Sequence, residues 1–167
     1  MMLLPACPEP NADGPRIATG CYRLPGAAAS AGAARRFTTA VLGRTHPVLD
    51  DAHLVVTELV ANAVEHTRSG LPGGDVDVAI DVRVGSVRIG VTDAGRLPAA
   101  GTPAVSGSAC ASVLEGGRGL FLVESFAHTW GFTCHPGPER GCTVWAQLRT
   151  PVAAPPTDSG LDARMQD

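Results

Sequence analysis

Lysine is missing from this chain altogether: all 13 basic residues among its 167 are arginine. The absence removes a Schiff-base lysine, a lysine general base, and the Gly-Lys-Ser/Thr phosphate loop. A phosphate site here must be built from backbone amides, arginine or a metal. Aromatic residues make up only 4%, which leaves the core to Val, Leu, Ile and Ala. A basic excess is also lacking, and the net charge of −3 argues against direct nucleic-acid binding. No apolar run approaches the roughly 18–20 residues of a membrane-spanning helix. Met1-Met2-Leu3-Leu4 runs at once into Pro5, without the basic head and longer apolar stretch of a signal peptide. A cytoplasmic protein without a membrane partner is therefore expected. The cysteines at 7, 21, 110, 134 and 142 contain no Cys-x-x-Cys pair, so neither a zinc ribbon nor a redox motif is spelled out. Idle thiols in a reducing cytosol are the expectation. The histidines form no His-x-x-x-His pair, which argues against a metal cage made of protein ligands alone.

What is present is enough for one folded domain. With 44% hydrophobic and 17% charged residues, the chain can bury a real core. Residues 1–15 are proline-rich and aperiodic and read as a flexible arm, and 150–167 read as a flexible tail. The domain proper spans 16–149. Arg16–Thr19 and Cys21–Leu24 suggest a short first strand, and Ala27–Leu42 a helix capped by Gly43. Leu54, Val55, Leu59, Val60 and Val64 recur near a 3.6 period, predicting a second helix for which Asp50-Asp51 supplies a cap and first-turn carboxylates and that ends near Thr67. Val76 to Val84 alternate apolar with polar, Gly85-Ser86 makes a turn, and Val87, Ile89 and Val91 return. A loop of small residues reaches Gly116. A third helix (Arg118 to about Ala127) and two strands (Thr129–His135 and Cys142–Arg149) complete the order. Helices on one face of a mostly antiparallel sheet give an α+β fold, a two-layer α/β sandwich.

Four patterns carry chemistry. Glu58, Asn62 and His66 follow at i, i+4 and i+8 in the second helix, one drifting polar stripe. Such a stripe is ordinarily just the solvated face. Asn62, however, sits in an otherwise apolar turn where it is a poor helix former. A carboxylate one turn from an amide oxygen also suits a general base beside a hard-metal ligand. Asp93-Ala94-Gly95 ends a strand, either as a plain turn or as a carboxylate reading an exocyclic amine beside a glycine that admits a planar base. Gly116-Gly117-Arg118-Gly119-Leu120 opens a helix, either as a hinge or as an anion site of bare amides. In the last strand, Gly141-Cys142-Thr143-Val144, the residues Val144 and Leu148 fit a core face.

Taken in order, Glu-x-x-x-Asn-Ala, Asp-x-Gly, Gly-Arg-Gly-Leu and Gly-x-Thr-Val resemble the Bergerat-fold ATPases, the superfamily of gyrase-type, heat-shock chaperone and sensor-kinase ATP-binding domains. The run from Asp50 to His66 and the run from Gly117 to Val123 are most similar to the stand-alone bacterial branch of anti-sigma-factor serine kinases and related ATP-binding regulators. The resemblance implies a histidine-kinase-like ATP-binding domain over residues 16–149, with ATP and Mg²⁺ as cofactors. It implies Glu58 as general base, Asn62 as the Mg²⁺ ligand, and Asp93 with Gly95 at the adenine. It further implies Gly117, Gly119 and Leu120 as the second glycine box at the phosphates, and Thr143 as support for the adenine end. Arg118 is left between a phosphate contact and a solvated or supporting role, and Arg96–Glu115 looks like the nucleotide lid. The chain departs from the family where Arg96-Leu97-Pro98 follows Gly95 and many relatives carry another glycine.

The resemblance implies a protein serine/threonine kinase that phosphorylates an anti-sigma-factor antagonist and can sequester a sigma factor, with a homodimer expected by analogy. The alternatives are a non-catalytic module using ATP as structural ligand or switch, and an ATP hydrolase without a protein substrate. A complete sensor histidine kinase is not expected, because no phosphoacceptor histidine box or membrane sensor precedes the domain.

Overall fold

A computed structural model describes residues 14–95, 119–135 and 141–151, and for 119 and 120 the backbone only. The arm before residue 14, the Arg96–Glu115 segment, Gly117, Arg118 and the tail after 151 lie outside the described residues. The chain folds into strands β1 (Arg16–Pro25), β2 (Asp75–Arg83), β3 (Ser86–Thr92), β4 (Thr129–Cys134) and β5 (Cys142–Arg149). Helices α1 (Ser30–Leu42) and α2 (Leu49–His66) precede β2, and α3 (Gly119–Phe126) precedes β4. The strands form one sheet in the order β1-β2-β3-β5-β4, with every pair antiparallel. This is the expected α+β two-layer sandwich.

Period-two patterning builds the sheet. In β2 the side chains of Val76, Val78, Ile80 and Val82 are buried on the face that the helices cover. On its other face, Asp77 pairs with Arg23 at 2.8 Å, and Asp81 with Arg16 and Arg83 at 2.9 Å. Exposed pairs of this kind contribute at most about 1 kcal/mol each, so the sheet is held by the buried face. Val87, Ile89 and Val91 of β3 and Ala146 and Leu148 of β5 extend that apolar floor. Helix α2 lies across it with Ala52, Val55, Val56, Leu59, Val60 and Ala63 buried, and α1 and α3 flank it. Thr39 Oγ1 and His53 Nε2, 2.8 Å apart, tie α1 to α2.

Four expectations change. The first strand is a single ten-residue element, because it runs the full length of β2 with one register shift between Arg16 and Ala18. The second helix starts at Leu49 with Val48 in the cap position, so Asp50 and Asp51 are first-turn residues that face the dipole rather than caps. Val48 is itself buried in the core and its carbonyl accepts the Ala52 N–H at 2.9 Å, which begins the helix early. The β2–β3 turn is Val84-Gly85, since Ser86 already pairs with Arg83 on one side and Arg149 on the other. Finally, Cys134 and Cys142 are not idle thiols. They stand opposite each other in the β4–β5 register and form a disulfide, while Cys21 is a free, exposed thiol. A spacing of eight residues does not announce a bridge, and only the hairpin register brings the two sulfurs together. Among the described residues, no helix is long and apolar enough to cross a membrane.

Candidate nucleotide site

Glu58 and Asn62 lie one turn apart on α2, both half-buried, on the helix that also packs against α3. The rest of the turn, Leu59, Val60 and Ala63, faces the core. Asn62 is therefore carried into a nearly dry setting by its apolar neighbours. Its Nδ2 is buried and has no hydrogen-bond partner among the described residues. A buried orphan amide costs about 1–3 kcal/mol, a cost that a bound ligand, ion or water removes. His66 ends the helix exposed, 4.0 Å from Glu65, and leaves the stripe without a third buried member.

Asp93 follows β3 directly and stands opposite Cys142, the first residue of β5. Its Oδ1 accepts the Gly95 N–H at 2.6 Å and the Cys142 N–H at 3.2 Å. Gly95 itself sits at φ 89°, a backbone conformation that glycine adopts without cost. Two amides thus fix one carboxylate oxygen and leave Oδ2 without a hydrogen bond among the described residues. Burial raises the Asp93 pKa above the ordinary carboxylate value, while the Gly95 and Cys142 amides and the nearby His135 pull it back in part. A fixed, desolvated carboxylate with one open oxygen is suited to accept from an exocyclic amine.

The turn that carries Asp93 is locked to the end of α2 by residues that sequence reasoning missed. Ser69 is fully buried; its hydroxyl donates to the Asp75 carbonyl at 2.7 Å and accepts the Ala94 N–H at 2.9 Å. Beside it, the Arg68 N–H donates to the Gly95 carbonyl at 2.7 Å. In the sequence, Ser69 reads only as the start of a glycine- and proline-rich break, and nothing local marks its hydroxyl as buried. These bonds join the segment that follows the helix of Glu58 and Asn62 to the turn bearing Asp93.

Of the expected site residues, Glu58 and Asn62 stand on α2, and Asp93 and Gly95 in the turn hydrogen-bonded to the segment after it. Gly119 and Leu120 open α3, which packs on α2. Thr143 is not among them. Its hydroxyl lies 2.7 Å from Thr92 Oγ1 and 3.0 Å from His135 Nε2, and it stands beside Gly90 on the sheet face away from the helices. The β5 residue beside Asp93 is Cys142, which both donates to its carboxylate and accepts the Asp93 N–H at 3.0 Å. That signal was present in the strand parity: with Val144 and Leu148 facing the core, Cys142 shares their face and Thr143 does not. Gly141 is required for this close approach, because a Cβ there would overlap the Asp93 carbonyl and carboxylate.

Among the described residues, no three acids, histidines or cysteines cluster as a metal cage. Mg²⁺ does not need one, since it is commonly held by one or two protein oxygens, substrate phosphates and waters. The orphaned Asn62 amide, whose oxygen and nitrogen are interchangeable by a flip, with Glu58 one turn away, fits that mode.

The model of one protein family, described as the histidine kinase-like ATPase domain, matches residues 24–147. No curated protein matches the chain.

Proposed function

From the premise that the chain belongs to the family of histidine kinase-like ATPase domains, we propose that it binds ATP with Mg²⁺ and acts as a regulatory protein serine/threonine kinase of the anti-sigma-factor type. The observation that carries the reading is the buried, unpartnered amide of Asn62 one turn from Glu58. A chain under selection for stability alone would replace that amide with an apolar residue; a ligand-binding chain keeps it.

Each residue has a task. Asp93 Oδ2 accepts from the adenine amine, and Gly95, without a side chain, leaves room for the base. Asn62 would hold the metal through its amide oxygen, and the metal would supply positive charge to neutralise the phosphates. The amides at the start of α3 face the phosphate end. Glu58 takes the proton of an incoming Ser or Thr hydroxyl as its oxygen bonds to the γ-phosphorus and the bond to ADP breaks. The protein acceptor is an antagonist of an anti-sigma factor, and a sigma factor is the second partner.

The test is incubation of the full chain with labelled ATP and Mg²⁺, alone and then with candidate antagonist and sigma-factor proteins. Label on a partner Ser or Thr is the expected result. Tight ATP binding without transfer would replace the kinase by an ATP-switched binding module, and no ATP binding would overturn both.

A further inference from the structure

The Cys134–Cys142 disulfide has no part in the chemistry above, yet it abuts the residue that reads adenine. Cys142 is bonded to Asp93 twice through its backbone, N–H to Oδ1 at 3.2 Å and C=O from the Asp93 N–H at 3.0 Å. On its other side Cys142 is tied covalently to Cys134, the last residue of β4. Strand β4 is the sheet edge and pairs with β5 alone. The bridge closes the turn between them, and the His135 N–H bond to the Gly141 carbonyl at 3.1 Å lies just inside it. The two sulfurs differ in access: Cys142 is 6% exposed, whereas Cys134 is half-buried at the strand end.

We propose that this pair is a thiol–disulfide control point on the nucleotide site, holding Cys142 against Asp93 when closed and loosening adenine binding when opened. The inference rests on the reading of Asp93 as the adenine contact. With the bridge closed, the end of β4 cannot peel from β5, and the Cys142 N–H stays on Asp93 Oδ1. Opening needs a dithiol reductant. One of its thiolates attacks the more accessible Cys134 sulfur, the S–S bond breaks, and Cys142 leaves as thiolate and takes a proton. The second reductant thiol then displaces Cys134 as thiol, and the reductant ends as its own disulfide. Two electrons and two protons pass to the protein, and a small-molecule disulfide reverses the exchange. Without the tether, an edge strand end opens locally far more often. The Cys142 amide then spends less time on Asp93, and the open Oδ2 loses its fixed aim.

The test uses the full chain, oxidised and after treatment with dithiothreitol, with ATP–Mg²⁺ affinity measured by calorimetry. Reduction is expected to weaken binding roughly three- to tenfold, as for loss of a short-loop tether next to a site. Reoxidation should restore it. Cys134→Ser should bind like the reduced protein under either condition, although it keeps Cys7, Cys21, Cys110 and Cys142. A second readout does not involve nucleotide: the Asp93 carboxyl, titrated by carbon NMR in the free protein, should shift between the two redox states. Equal ATP affinity and an unchanged Asp93 titration would overturn the control point. So would a Cys134→Ser protein that responds to reductant as the wild type does. If neither redox state binds ATP, the nucleotide reading fails by itself, and the Asp93 titration still decides whether the bridge governs that carboxylate.

Discussion

Replacing Asn62 by alanine is expected to stabilise the free protein and to disable its nucleotide site. The wild-type amide nitrogen is buried with no partner among the described residues, and such a donor carries a desolvation penalty of about 1–3 kcal/mol. Alanine also gains about 0.5 kcal/mol of helix propensity at this mid-helix position. Against these gains stands the loss of packing by a half-buried side chain, about 1 kcal/mol for the void left behind. The balance is a gain of roughly 1 kcal/mol, which for a domain of this size raises Tm by about 2–4 °C. In the opposite direction, ATP–Mg²⁺ affinity should fall about tenfold or more, the value of one contact to a charged group. Thermal denaturation without nucleotide and calorimetric titration with ATP and Mg²⁺, on the same two preparations, measure both quantities. A variant that melts several degrees lower while binding nucleotide normally would make Asn62 a structural residue and refute the argument.

Four further outcomes follow from the same geometry. Asp93→Asn should lose about tenfold to a hundredfold in ATP affinity, because an amide cannot replace both acceptors of the carboxylate, and its preference for ATP over GTP should disappear. Burial raises the folded-state pKa of Asp93, so the native state holds the proton more tightly than the unfolded chain. The associated stability is complete below the unfolded pKa and is lost as pH rises through the raised one. Denaturant titrations should therefore show Asp93→Asn gaining on the wild type across that window, while wild-type ATP binding fades as pH falls through it. Gly141→Ala forces a methyl group into the Asp93 carbonyl and carboxylate; a loss of about 1–3 kcal/mol in chemical denaturation is expected, together with weakened ATP binding. Glu58→Gln should bind ATP as the wild type does and transfer phosphate to the partner about a hundredfold more slowly, and equal transfer rates would remove Glu58 from the base role.

The sequence by itself determined the layers of this protein. Strict alternation in Asp75–Arg83 and a 3.6 period in α2 are properties of consecutive residues, and each buries one face only if helices cover one side of the sheet. Glu58 and Asn62 were legible for the same reason: their spacing along one helix fixes their relative position without reference to the rest of the chain. The family resemblance supplied their roles, along with that of Asp93. Only the tertiary structure decided what crosses between elements. Which β5 residue touches Asp93 depends on the β3–β5 register, and that register puts Cys142 beside the carboxylate and Thr143 on the far face with Thr92. The Cys134–Cys142 bridge follows from the β4–β5 pairing. Ser69 becomes part of the site only because the chain folds the end of α2 against the turn after β3, where its hydroxyl satisfies a buried amide and a buried carbonyl at once. Periodicity records which face of an element is buried; it does not record what that face meets, because register is set by strands distant in the chain, through hydrogen bonds that every backbone offers alike.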